Sequence, residues 1–385
     1  MKRRNSWLIP DFALEKEGKS LYDQMDFRYE GGFVKDKITD PNSPPPFEFN
    51  LFIGGTVRLY RVGLAIPHTP FFLAMVSVAA LGRKNRKLFR VKSNVLTLLL
   101  FPFQTYREFL QSGQTGISYA DVEKSVDKFS RSFTAFSEED LDYGKVGGRE
   151  IFKRPNVLLI CDTSKGGIVQ KGNYLISKED LLNHKKIKEA ALARVRHIMG
   201  LLEFDCLLSA SDMLSGGFIL KDGLIERYSR VKNIFGIDRE TYQAMLTNVV
   251  GFIEYPKIPP EVMANMPNLK EFQYCKWTGR TESDEDDPNP SQDSDELFDF
   301  VLLGFRRLPH FPDTGIVMLQ TLKTEHNEDR LKAIVQAVLR ERFPLPSDPK
   351  RRYSTPYPIE EAEKVAKYRL PSEERIRGMA YALMR

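Results

Sequence analysis

The sequence predicts an α/β fold, and three patterns predict it. Apolar and polar residues alternate from Phe49 to Ile66 around a Gly-Gly pair, which is typical of a β-strand. A helical pattern begins near Ser177 with a capping-box-like start and continues to about Met213. Directly after it, the apolar run from Phe218 leads to Asp222 and a glycine turn, which indicates a buried strand. Strands and helices that alternate along the chain favour a sheet covered by helices.

Composition sets the limits of the interpretation. With 385 residues, 42% of them apolar, the chain can bury a sizeable core in one large domain or two ordinary ones. The net charge of +5 permits an anionic partner without requiring one. Three widely spaced cysteines argue against a disulfide framework and favour a reducing compartment, so the cytoplasm is expected. Since the chain has no apolar run long enough for a signal peptide or a bilayer span, we expect no membrane segment.

The remaining elements follow in chain order. Residues 1–48 are charged and rich in turn formers, and they are predicted to form an N-terminal extension to a main domain of residues 49–385. Further strands are predicted at 71–82, 156–161, 248–253, 297–303 and 315–320, and further helices at about 118–142, 328–342, 358–368 and from 371 on. The acidic segment at about 281–296 is predicted to be a flexible, solvated insertion, with calcium binding as the alternative.

Two carboxylates are candidates for catalysis. Glu203 lies at the edge of the apolar stripe of the long helix, and Asp222 ends the following strand. Two acids at the rim of a core can share a divalent cation, which activates water and stabilises charge on a phosphate. Taken alone, however, Asp-Gly after an apolar run is more typical of a turn.

A third acid, Glu363, comes from the last part of the chain. Pro358 opens a helix whose apolar side is Ile359, Ala362 and Ala366, and Glu363 falls on that side. The alternative role for Glu363 is a salt bridge to a basic neighbour such as Arg351 or Arg352.

A basic cluster follows the second predicted strand, with Phe89 interleaved. Its members are Arg83, Lys84, Arg86, Lys87, Arg90 and Lys92. Such a cluster could bind the backbone of DNA without sequence preference, although an ordinary solvated hairpin explains it equally well. The histidines and cysteines lack zinc-site spacing, and no phosphate-binding loop motif occurs, so any ATP hydrolysis would come from a partner.

The order of these segments resembles the NurA nucleases over roughly residues 49–370. The resemblance depends on the Gly54 strand, the helix acid Glu203, Asp222-Gly-Leu, Val249-Val-Gly-Phe-Ile, Thr314-Gly-Ile-Val and Tyr357-Pro. It implies an RNase H-like mixed β-sheet flanked by helices and a Mn²⁺- or Mg²⁺-dependent deoxyribonuclease. It also implies a homodimer that processes DNA ends with a HerA-type hexameric ATPase.

The resemblance assigns roles to positions of this chain. Glu203 matches the family's helix carboxylate and Asp222 its strand-end aspartate, so with Glu363 they form the implied catalytic and metal-binding set. Gly54 stands where the family has its leading metal-ligating aspartate, and Glu363 stands where it has a histidine. Other departures are Thr355 for a tyrosine, Glu254 for a lysine, and Met318 and Gln320 near an expected arginine and glutamate.

Two accounts fit these departures. Either Glu203, Asp222 and Glu363 form a rewired three-carboxylate site, or the site has decayed and the chain is a catalytically inactive NurA-like interaction module. Asp162, at the end of the 156–161 run, is a lower-ranked candidate ligand.

Overall fold

The computed structural model describes most of the chain, with gaps between the described ranges. These ranges are residues 7–15, 27–37, 44, 46–113, 116–142, 144–165, 175–211, 217–253, 269–270, 272–281, 297–304, 316–323, 327–341 and 355–384. The predicted acidic insertion lies outside them after Thr281, as do Glu254, Arg351 and Arg352.

A single large sheet runs through the described residues. Its strands are β1 (Leu8–Glu15), β2 (Phe27–Lys37), β3 (Phe49–Ala65), β4 (Thr69–Lys84), β5 (Lys87–Phe101), β6 (Thr134–Ser137), β7 (Val157–Asp162), β8 (Phe218–Asp222), β9 (Val249–Ile253), β10 (Gln273–Thr281), β11 (Leu297–Gly304) and β12 (Ile316–Leu322). The strand order is β2-β10-β11-β12-β9-β8-β3-β4-β5-β7-β6, and β1 also pairs with β3.

Helices cover both faces of this sheet. They are α1 (Phe103–Gln111), α2 (Tyr119–Ser130), α3 (Glu138–Asp142), α4 (Gly148–Lys153), α5 (His184–Ser211), α6 (Tyr228–Phe235), α7 (Arg239–Leu246), α8 (Asn327–Arg340), α9 (Tyr357–Arg369) and α10 (Glu373–Met384). A short 3₁₀ helix, Glu179–Leu182, precedes α5. No helix in the described ranges is long and apolar enough to cross a membrane.

The centre of the sheet is a mixed five-stranded unit with the order β9-β8-β3-β4-β5. Strands β3, β4 and β5 form an antiparallel meander, β8 adds to β3 in parallel, and β9 adds to β8 in parallel. The long helix α5 packs on one face, where the side chain of Met199 lies against Gly55. Helix α9 packs on the other face, where Ala362 lies against Gly54. The predicted α/β class with a mixed, helix-flanked sheet is confirmed.

Burial on both faces explains why the sequence of β4 is a nearly continuous apolar run. Every residue from Thr69 to Gly82 is buried, because helices cover both faces of the strand. The three cysteines are also buried and carry no disulfide.

One sequence prediction needs correction, and one central strand was not predicted. The segment 118–142 is not one helix, because the strand β6 interrupts it and pairs in parallel with β7. Strand β5 was not predicted, since Lys87, Arg90 and Lys92 give its first half a polar pattern. In both cases pairing with a neighbouring strand overrides local propensity.

The N-terminal segment contributes strands to the same sheet. Strand β1 pairs with β3 in an antiparallel ladder that includes Leu8 opposite Ala65, and β2 pairs with β10. A domain boundary at residue 48 stays a prediction.

Candidate functional site

Glycine at position 54 lets helix α9 approach strand β3 closely. A Cβ atom at Gly54 would lie 3.2 Å from Cγ of Glu363, 3.2 Å from the carbonyl oxygen of Ile359 and 3.3 Å from Cβ of Ala362. Ile359 and Ala362 are fully buried, whereas Glu363 is half-buried at the margin of the contact. Glu363 therefore lies directly over the position where the resemblance expects an aspartate.

Asp222 points to the same face of the sheet as Gly54. Strands β3 and β8 are parallel neighbours, and Ile53 pairs with Lys221. Because side chains alternate along a strand, the residues that follow this pair, Gly54 and Asp222, share the opposite face, on strands about 4.8 Å apart. Asp222 is 5% exposed. Positions 54, 222 and 363, which are far apart in sequence, thus come together beside α9.

Glu203 lies on the other face of the sheet. It is buried on α5, and the Lys221 ammonium approaches its Oε2 atom at 2.5 Å. The same ammonium donates a hydrogen bond of 2.7 Å to the backbone carbonyl of Asp222. Lys221 therefore neutralises the carboxylate that would bind metal in the sequence-based interpretation.

The three predicted acids lie on two faces of the sheet. Among the described residues, no three His, Cys, Asp or Glu side chains are placed to hold a metal ion together. Glu363 lies against Gly54 and Asp222 shares its face of the sheet, while Glu203 is paired with Lys221 on the other face. Their catalytic role stays a prediction.

The lower-ranked candidate, Asp162, has a structural role at the start of α1. Its Oδ2 atom accepts a hydrogen bond of 3.0 Å from the backbone N–H of Gln104, and Oδ1 accepts one of 2.9 Å from the N–H of Ser164. A carboxylate at a helix N-terminus satisfies an orphan N–H group and interacts favourably with the helix dipole.

Sequence reasoning missed a polar cluster between α5 and β5. Asp205 is fully buried and forms an ion pair with Lys92, and its Oδ2 atom also accepts a hydrogen bond of 3.0 Å from the Asn94 amide. Lys92 donates a further bond of 2.6 Å to Ser209. Burial raises the pKa of Asp205, and the hydrogen bond from Lys92 opposes that shift. Lys92 belongs to this buried pair rather than to an exposed DNA-binding surface.

A second missed group surrounds His197 on α5. His197 is 8% exposed, and in the described part of the structure neither ring nitrogen has a hydrogen-bond partner. Desolvation, together with the cations of Arg230 and Arg194, holds the pKa of His197 well below its usual value of 6.5. These arginines are paired with Glu226 and Glu138 respectively, so His197 is neutral within a buried ionic network.

This environment predicts a pH-dependent loss of stability. The unfolded chain protonates His197 below pH 6.5 and the folded chain does not, so the free energy of unfolding should fall as pH drops below 6.5. The contribution is up to about 1.4 kcal/mol per pH unit. Urea unfolding at several pH values should show this slope in the wild type and a shallower slope in His197→Leu. Parallel slopes for the two proteins would contradict the assignment.

The basic cluster lies on the β4–β5 hairpin, and its members differ in environment. Arg83 forms two hydrogen bonds, of 2.9 and 2.6 Å, with the Glu341 carboxylate and stacks over Phe52 at 4.5 Å. Lys84, Arg86 and Lys87 are exposed. A role for Arg83, Lys84, Arg86 and Lys87 in binding nucleic acid stays a prediction.

Comparison with known proteins gives a structural likeness and no sequence match. No protein-family model and no curated protein matches the chain. Among solved structures, the crystal structure of the NurA nuclease from Sulfolobus solfataricus is similar over 89% of this chain and 86% of that chain, with 8% sequence identity and a TM-score of 0.42. A likeness at this level carries no functional assignment.

Proposed function

We propose that this protein is a NurA-like subunit of a DNA-processing assembly. It binds DNA, forms a homodimer and works in the cytoplasm with a HerA-type hexameric ATPase in DNA end processing or defence. The observation that supports this function is the convergence of positions 54, 222 and 363 on one face of the sheet. The resemblance assigns metal-site roles to all three, and nothing in their sequence spacing requires them to meet.

The site itself is degenerate in this proposal. Gly54 supplies no ligand, and Glu203 is paired with Lys221. These two observations favour the second candidate function, a catalytically inactive scaffold that retains contacts with DNA and the ATPase ring. As an enzyme, the chain would be a phosphodiester hydrolase dependent on Mn²⁺ or Mg²⁺, with Asp222 and Glu363 as its remaining acids beside Gly54.

Cleavage of linear DNA separates the two candidates. The full chain is incubated with single- and double-stranded DNA in Mn²⁺ or Mg²⁺, alone and with a HerA-type ATPase, and compared with Asp222→Ala. Cleavage by the wild type that disappears in Asp222→Ala supports the nuclease, and no cleavage by either protein supports the scaffold. Light scattering after size-exclusion chromatography tests the assembly; a monomer that binds neither the ATPase nor DNA would contradict both candidates.

Gly54→Asp tests whether the site is one ligand short. The new Cβ needs a small shift of Glu363 and α9, which costs about 1–3 kcal/mol of stability. The new carboxylate joins Asp222 and Glu363, so Mn²⁺ should bind the folded state and raise the melting temperature.

The matched control is Gly54→Ala, which adds the same Cβ without a carboxylate. We expect Mn²⁺ to raise the melting temperature of Gly54→Asp and to leave that of Gly54→Ala unchanged. Equal responses of the two variants would show that positions 54, 222 and 363 do not form a cation site.

A further inference from the structure

The tip of the β4–β5 hairpin, residues 82–90, is a strongly cationic surface. Lys84, Arg86, Lys87 and Arg90 are exposed, and they form no ion pair in the described part of the structure. The sequence from Gly82 to Asn94 contains no acidic residue. Four cations this close in sequence repel one another, so the surface is complementary to a polyanion.

An exposed aromatic ring lies in this cationic surface. Phe89 is 44% exposed and its ring lies against strand β4, where a Cβ atom at Gly82 would be 2.5 Å from its Cζ atom and 2.9 and 3.0 Å from its two Cε atoms. Phe89 pairs with Gly82, and Lys87 pairs with Lys84. Because side chains alternate along a strand, the ring and both lysines share one face of the hairpin. Glycine at position 82 therefore supports a flat ring with cations beside it.

Arg86 occupies a costly position at the apex of the turn. Asn85 and Arg86 have φ angles of 51° and 64°, as in a type I′ turn, where glycine is strongly preferred at the second of these positions. A left-handed conformation costs a residue with a Cβ atom about 1–2 kcal/mol. No carboxylate in the described residues forms an ion pair with Arg86, so among them no ion pair offsets this backbone cost.

We propose that the hairpin tip binds single-stranded nucleic acid. A base stacks on Phe89, while Lys84, Arg86 and Lys87 contact the phosphates on either side. Unpaired bases expose the π-face that such stacking needs, whereas in a duplex the bases are stacked on one another. This inference rests on the proposed function for DNA as a ligand and adds the strand form that the chain recognises.

Fluorescence anisotropy of the full chain tests the stacking contact. The probes are labelled oligothymidylate, oligouridylate and a blunt DNA duplex of equal length. Phe89→Leu still covers Gly82 but removes the aromatic face, so it should weaken single-strand binding by about 10-fold and leave duplex binding nearly unchanged. Phe89→Trp should restore the affinity. Comparison of the first two probes distinguishes DNA from RNA as the bound strand.

An exposed aromatic residue far from Phe89 in the sequence serves as the control. Tyr368, on α9, is 86% exposed, and Tyr368→Leu should change no affinity. Unchanged single-strand binding in Phe89→Leu, or an equal loss for the duplex, would overturn the stacking assignment.

Arg86→Gly separates a binding role from a structural one. Glycine relieves the left-handed strain, so the variant should unfold at a higher urea concentration and yet bind single strands more weakly. A variant that is more stable and binds equally well would exclude Arg86 from the contact.

The two proposals fail in different ways. Binding that depends on Phe89, without assembly on the ATPase or cleavage, would leave the hairpin site intact and remove the NurA-like function. Cleavage dependent on Asp222 with no effect of Phe89→Leu would do the reverse.

Discussion

Lys221→Met is expected to lower the free energy of unfolding by about 3–5 kcal/mol, because it leaves the Glu203 carboxylate buried without its cation. Lys221 and Glu203 have side chains 4% and 1% exposed, and their charged atoms are 2.5 Å apart. Both groups are buried where α5 packs on the sheet. Urea unfolding monitored by circular dichroism measures the loss.

The double variant Lys221→Met/Glu203→Gln is the control for this pair. It removes both charges and keeps side chains of similar size, so its stability should recover most of the loss in Lys221→Met. Losses that simply add in the double variant would mean that the two charges are not coupled. This result matters for function, because a carboxylate coupled to a buried lysine has its Oε2 atom engaged by that cation, and a metal ion would compete with Lys221 for it.

Asp205→Ala should be the second large effect, at about 3 kcal/mol. The substitution leaves Lys92, whose side chain is 15% exposed, with Ser209 as its remaining side-chain partner. It also removes the acceptor of the Asn94 amide. Because the cluster joins α5 to β5, we expect α5 to become less protected in hydrogen exchange.

Lys92→Met tests whether the charges of Lys92 and Asp205 are coupled. Combined with Asp205→Ala, it should lose less stability than the sum of the two single variants, since no isolated charge remains. Single-strand binding should be unchanged in Lys92→Met, because Lys92 contacts Asp205 rather than solvent. A marked loss of nucleic-acid affinity in that variant would place Lys92 on the binding surface after all.

Part of this protein follows from its sequence. The alternation from Phe49, the apolar run before Asp222 and the pattern from Ser177 predicted β3, β8 and α5 correctly, because each pattern matches the period of its element. The position of Glu363 on the inner side of α9 was predicted in the same way, from the apolar stripe of a single helix. Local periodicity determines the type of these elements and the inner side of α9, so they can be predicted without knowledge of distant contacts.

The tertiary structure decided which charges meet. Lys221 and Asp222 are consecutive residues, yet the pleat of β8 turns their side chains to opposite faces of the sheet. Lys221 is therefore paired with Glu203 on one face. Gly54, Asp222 and Glu363 lie together on the other face. Likewise, the polar pattern in the first half of β5 does not predict a strand. This half is a strand because it pairs with β4 and because Lys92 is buried against Asp205, which is distant in the chain. A sequence displays its acids and bases singly, whereas their protonation and their capacity to bind depend on neighbours that only the folded chain supplies.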